Sequence, residues 1–155
     1  MEWIKLSISP VKDLIAFLHK KSKTNDVQKK QLLIELRNNL NVFSNGFINE
    51  SPYDSIIDLL ANEAYQNAIK ENFPFRRLRA GKIHPAHIKD DRNKKYQGWD
   101  SEKLYDKIDE KITELKNIKK LAKGSVEGVK NNIPLMMSNL YFRMKLLADF
   151  IKASP

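Results

Sequence analysis

Apolar side chains recur at three- and four-residue intervals in five separate stretches of this chain, and each stretch opens on residues that start helices well. That spacing puts them on one face of a 3.6-residue turn, so every stretch has a stripe to bury against a neighbour. Ser9-Pro10 precedes Val11, Leu14, Ile15 and Leu18, with proline in the first turn, where its missing N–H costs nothing. Thr24-Asn25-Asp26 precedes Leu33, Leu36, Leu40 and Phe43. There Gln28 is placed to close a capping box with Asn25, and Asn45-Gly46 supplies a stop. Ser51-Pro52-Tyr53-Asp54 opens a third helix that carries Ile57, Leu60, Ala61, Ala64 and Ala68 and runs to Asn72. Asp100-Ser101-Glu102 opens a long fourth, with Leu104, Ile108, Ile112, Leu115, Ile118 and Ala122 before Gly124. Asn132 ahead of Pro134 opens the last, whose Met137, Leu140, Tyr141, Met144, Leu147 and Ile151 wrap most of its circumference. Such a helix belongs at the centre of a bundle.

Five glycines and six prolines in 155 residues are too few turn formers for an all-β protein. The expected fold is therefore all-α: a single domain, residues 1–155, built as a bundle of about five mostly antiparallel helices. Residues 1–9, where Trp3, Ile4, Leu6 and Ile8 alternate loosely with polar positions, read as an N-terminal arm packed on that bundle, since a lone strand is not a stable unit. A 41% hydrophobic content with seven Phe, five Tyr and two Trp suffices for a packed core.

The absence of cysteine removes disulfides, thiol nucleophiles and sulfur-ligated metals. No window approaches the ~18 apolar residues of a membrane span. Residues 1–10 carry Glu2 and Lys5 in place of the apolar block of a secretory signal, so a cytoplasmic protein without a membrane partner is expected.

The charge is large and local. Twenty-eight Lys and Arg stand against 19 Asp and Glu, a formal +9. Residues 73–98, between the third and fourth helices, hold Arg76, Arg77, Arg79, Lys82, Lys89, Arg92, Lys94 and Lys95 against only Asp90 and Asp91, a surplus of six. The segment has no sustained period and exceeds the ~12–15 residues beyond which unstructured connections in compact domains are uncommon and tend to be functional. The lysines at the end of the fourth helix (Lys116, Lys119, Lys120, Lys123) complement its dipole and read as a solvated face. On the same helix Lys103 with Asp106, Lys107 with Glu110 and Lys111 with Glu114 are spaced to pair.

Four of the chain's six arginines fall in residues 73–98. Guanidinium binds phosphate or carboxylate through paired donors, which an ammonium cannot do. Arg76, Arg77, Arg79, Lys82, Arg92, Lys94 and Lys95 are thus the candidate anion- or nucleic-acid-binding residues, and Phe73, Phe75, Tyr96 and Trp99 among them suit base stacking. A structural reading stands beside this: the arginines pair with Asp54, Asp58, Glu63 and Glu71 of the acidic third helix, and the aromatics plug the loop into the core. His84 and His87 with Asp90 and Asp91 are metal-ligand types at loose spacing without a third histidine nearby, so no metal is assigned. No cofactor motif, Gly-rich phosphate cradle, nucleophile elbow or His-Glu-x-x-His is present either.

Arg79 and His84 stand in an Arg-x4-His string, and Arg77 and His84 in an Arg-x6-His string. This spacing resembles the signature of HEPN ribonucleases, all-helical domains whose paired subunits cut RNA. The resemblance covers six residues. It implies that Arg79 would stabilise phosphate charge and that His84 would activate the 2′-hydroxyl or protonate the leaving group, without metal. The family motif opens a helix, usually with a polar residue after the arginine, whereas Ala80-Gly81 follows here and Pro85 succeeds the histidine.

The reading is a non-catalytic interaction module whose Arg-rich loop docks an anionic partner, nucleic acid or an acidic protein surface. The alternatives are the HEPN-like ribonuclease using Arg79 and His84, and a purely structural helical adaptor that forms a homodimer through the fourth and fifth helices.

Overall fold

The computed structural model describes residues 8–153. They are all-helical: α1 (Ile8–Lys21), α2 (Val27–Ile48), α3 (Tyr53–Leu59), α4 (Glu63–Lys70), α5 (Ser101–Leu121) and α6 (Ile133–Lys152), with no strand among them. Three short 3-10 turns, Phe75–Arg77, Pro85–His87 and Asp91–Tyr96, lie between α4 and α5. Of the expected arm, residues 1–7 fall outside the described residues. Ile8 and Ser9 belong to α1, so the helix includes the Ser9-Pro10 opening.

α1 buries Val11, Leu14 and Leu18 against α2 and α6. α2 is capped by Asp26, whose Oδ1 accepts the Lys29 N–H at 3.2 Å. Gln28 leaves the expected capping box and donates to Glu71 at 2.6 Å. The helix also runs through Gly46, where the sequence suggests a stop, because Phe47 continues the buried stripe. A Cβ on Gly46 would stand 2.8 Å from the Ile56 side chain, so the glycine serves the close approach of α3. The chain turns later, at Glu50, which takes φ 51°.

The third helix expected from the sequence is two helices. α3 ends at Leu59 and α4 starts at Glu63 because α2 supplies hydrogen bonds that outcompete continuous helix. Asn39 accepts the Ala61 N–H at 2.9 Å and donates to the Ala61 carbonyl at 2.8 Å, holding that residue in a non-helical position. Glu35 then accepts the Ala64 and Tyr65 N–H groups at 2.7 and 3.2 Å, satisfying free donors in the first turn of α4 from another helix.

α5 is capped by Asp100, which accepts the Lys103 N–H at 2.9 Å. It buries Leu104, Ile108, Ile112 and Leu115. Lys107 with Glu110 and Lys111 with Glu114 pair as the spacing suggests, at 3.3 and 2.9 Å. Lys119 reaches Asp58 of α3 instead of open solvent.

α6 is the central helix. Among its residues Met137, Leu140, Tyr141, Met144, Leu147 and Phe150 have no exposed surface, and α1, α2 and α5 pack around it. Each such side chain contributes roughly 1.5–3 kcal/mol by leaving water. The buried apolar residues form one continuous cluster from Val11 to Ile151.

Candidate anion-binding site in the basic segment

The basic segment is anchored along its length. Phe75, Leu78, Ile83 and Tyr96 enter the core cluster. Ile83 ties the interior of the segment to its C-terminal end: its N–H donates to the Trp99 carbonyl and its carbonyl accepts the Gly98 N–H, both at 2.9 Å. The Ser101 hydroxyl, at the start of α5, lies 3.2 Å from the Phe75 carbonyl and 3.0 Å from that of Arg79. On the far side Asn93 donates to the Phe142 carbonyl at 3.0 Å, and Arg143 Nε donates to the Tyr96 hydroxyl at 2.8 Å.

The cations divide by what they touch. Arg77 pairs with Asp26 at 2.7 Å and lies over the Phe73 ring at 4.9 Å. Burial alone would raise the Asp26 carboxyl, but the Arg77 hydrogen bond and the Lys29 amide together hold it below its ordinary value. Lys89 pairs with Asp149 at 2.9 Å. Arg92 pairs with Asp90 at 2.9 Å, donates to Ser138 and lies over the Phe142 ring at 4.3 Å. Lys94 meets Asp91 at 3.3 Å on the open surface, and Lys95 stands 5.4 Å from the Tyr96 ring. Asp26 and Asp149 are the carboxylates that enter from outside the segment. Two taken from a surplus of six leaves four positive charges without a counter-ion among the described residues.

The acids of α3, of α4 and of the Glu71 position that ends it are engaged elsewhere. Asp54 accepts from Ser125 and the Val126 N–H, Asp58 from Lys119, Glu63 from the Asn62 N–H and Glu71 from Gln28. They do not neutralise the arginines.

Three of the sequence-selected cations converge. Arg76, Arg79 and Lys82 line an open cleft of about 320 Å³, together with Gly81 and with Asp100, Ser101 and Glu102 at the start of α5. Arg76 and Lys82 are exposed and make no ion pair or hydrogen bond among the described residues. Arg79 is half-buried, and burial lowers its guanidinium pKa. Its Nε donates to the Phe150 carbonyl at 2.7 Å, its Nη1 to the Ala80 carbonyl, and its plane lies 4.1 Å from the Phe150 ring centroid. Arg79 therefore caps the C-terminal turn of α6 while facing the cleft. Arg77, Arg92, Lys94 and Lys95 do not line it.

The aromatics sort differently from the stacking expectation. Phe73, Phe75 and Tyr96 are buried, and Lys103 covers half-buried Trp99 at 4.4 Å from its ring. They are core plugs. The histidines gather beside Arg79: the His87 ring packs on Phe150 at 5.2 Å and on His84 at 5.8 Å, and His87 Nδ1 accepts the His84 N–H at 2.9 Å. Burial first, then the charges of Arg79 and His84, push the His87 pKa down. No three His, Asp or Glu side chains among the described residues stand close enough together to hold a metal ion.

Comparison with protein-family models, curated proteins and solved structures returns no match. Among the described residues no helix is long and apolar enough to cross a membrane. What the sequence hides is the other half of the site. Phe150, Asp100 and Ser101 join Arg79 only through tertiary folding, and no local pattern announces them.

Proposed function

We propose that this protein is a non-catalytic interaction module that docks an acidic protein segment in the cleft of Arg76, Arg79 and Lys82. The observation that carries the reading is the pair of exposed, unpaired cations, Arg76 and Lys82, beside a guanidinium fixed by α6. Fixing Arg79 lowers the entropy lost when a carboxylate arrives. The backbone N–H groups at the start of α5 add a favourable dipole, while Asp100 and Glu102 at the rim select against dense uniform negative charge. With Phe73, Phe75 and Tyr96 buried and half-buried Trp99 covered by Lys103, the segment offers little for unpaired bases to stack on. That favours an acidic peptide over nucleic acid.

Fluorescence titration of a labelled Glu-rich peptide and a labelled single-stranded RNA against wild type and Arg76→Ala/Lys82→Ala, at low and moderate salt, tests this. Salt-sensitive peptide binding that the double variant loses supports it. Peptide binding that is absent or unchanged by the substitutions sinks it, and tighter RNA binding lost in the same variant moves the partner to nucleic acid.

A ribonuclease reading is favoured by one observation, the meeting of Arg79 and His87 on Phe150 with His84 beside His87. Its check is cleavage of single-stranded RNA by wild type that His84→Ala abolishes.

A further inference from the structure

On another part of the molecule, α2 and α3 enclose an open groove of about 350 Å³ whose lining contains no ionisable side chain, although charged residues make up 30% of the chain. Its rim is carboxamide and hydroxyl. Asn38, Asn41 and Asn45 follow one another along α2 with Asn49 just past its end, and Ser51 and Ser55 line the groove from the α3 side. Its floor is apolar, formed by Val42, Ile56 and Leu59, and Gly46 brings α2 and α3 together there. Leu59 is 67% exposed.

The asparagines occupy about 80° of the helix face at ~100° per residue, so they form a stripe beside the floor. Asn41 and Asn45 make no side-chain hydrogen bond among the described residues, and neither do Ser51 and Ser55. Asn38 receives only long contacts from Arg37, at 3.3 Å, and keeps its amide N–H groups free. Asn49 is committed to the Asn45 carbonyl at 2.9 Å. The free carboxamides are thus Asn38, Asn41 and Asn45.

A carboxamide carries one acceptor and two donors in a plane, the complement of a peptide unit, and it bonds a peptide N–H and C=O together. Asn41 and Asn45 are four residues apart, about 6 Å along the helix at ~1.5 Å per residue. An extended peptide repeats its outward-facing groups every two residues, about 6.6 Å. The registers agree over the length of the groove. A nucleic acid or a charged helix would find no counter-charge here, and a small apolar ligand would leave the carboxamides unpaired at a cost.

We infer that this groove binds an uncharged, extended peptide segment, its main chain held by Asn41 and Asn45 with help from Asn38, and alternate apolar side chains set against Val42, Ile56 and Leu59. The site shares no lining residue with the basic cleft, so either stands or falls without the other.

The probe is a set of short, end-capped peptides of alternating Val and Ser, with matched peptides N-methylated at every second amide so that the donors are removed and the side chains kept. Side-chain amide resonances of the asparagines report binding by NMR. The expected result is saturable shifts at Asn41 and Asn45, weakened about tenfold or more both by N-methylation and by Asn41→Leu/Asn45→Leu, which keeps volume and removes two bidentate contacts. A melting curve matching wild type shows that the variant is folded, and Asn41→Ala alone, which removes one carboxamide, serves where it is not, with weakened binding again expected and unchanged binding overturning the inference. No shift at millimolar peptide overturns the inference. So does binding indifferent to N-methylation, which means apolar contact only. Shifts at the same asparagines on concentrating the protein alone also overturn it, giving the groove to a second copy.

Discussion

The acidic cluster where α2, α4 and α5 meet and the basic segment around α6 use the same device with opposite charge. Glu35 takes its bonds from the Ala64 and Tyr65 amides and the Tyr105 hydroxyl at 2.8 Å. Asp106 takes one from the Tyr65 hydroxyl at 2.8 Å, and Asp109 from Asn62 and Gln66. On the basic side Arg79 holds a carbonyl and a ring, and buried Arg143 holds the Tyr96 hydroxyl and ring, with its Nη1 unpartnered among the described residues. In both regions neutral groups position charged ones.

The outcome differs because a carboxyl can take up a proton and a guanidinium keeps its own. Burial raises Glu35 to about 7, against which its three hydrogen bonds work. The acidic cluster can therefore shed charge inward, while the basic segment must show its charge to solvent or to a partner.

The largest effect that would break this comparison comes from Glu35→Ala. It strands two amides and a phenol in the core, and we expect a loss of about 3 kcal/mol or more, read as a melting point lower by roughly 10 °C. An unchanged melting point would mean that the α4 start is not held by Glu35.

Next comes pH. The folded Glu35 pKa of about 7 lies above its ordinary 4.5, so the folded state favours the protonated form. The associated stability is complete below pH 4.5 and is lost as pH rises through 7, by up to about 3 kcal/mol. Urea unfolding across that window should show the decline, and Glu35→Gln should flatten it. A Gln variant with the same slope would assign the decline to another group.

Smaller still is Arg79→Met, which removes the carbonyl cap and the cation–π contact on Phe150 at a cost of about 1–2 kcal/mol. Arg76→Ala, exposed and unpaired, should stay within about 0.5 kcal/mol. Equal losses in the two by denaturant unfolding would erase the distinction between a positioned and a free cation.

The helical stripes of α2 and α5 were legible because each buries one face continuously, that of α6 because most of its circumference is apolar, and the Asp100 and Asn132 caps act locally on Lys103 and Leu135. The division of the third helix was not legible. Asn39 and Glu35, which impose it, lie on another helix, and their polar side chains carry no periodic signal. The same holds for the basic segment. Its charge was plain in the sequence, but whether Arg79 faced a carboxylate or the α6 terminus depended on Phe150, remote in the chain. The aromatics misled because stacking platforms and core plugs use the same side chains.

The staple at Ile83 closes residues 83–98 into a ring that α6 holds at His87, Lys89, Arg92 and Asn93. Ring-closure entropy rises only with the logarithm of length, about 0.6 kcal/mol for each doubling. Lengthening the ring beside exposed Ala86 therefore costs little in closure entropy, and what an insertion there forfeits is the His87 contact with Phe150 and its hydrogen bond with His84. The tolerance of this ring to insertion is thus set by its side-chain anchors on α6 and not by its length.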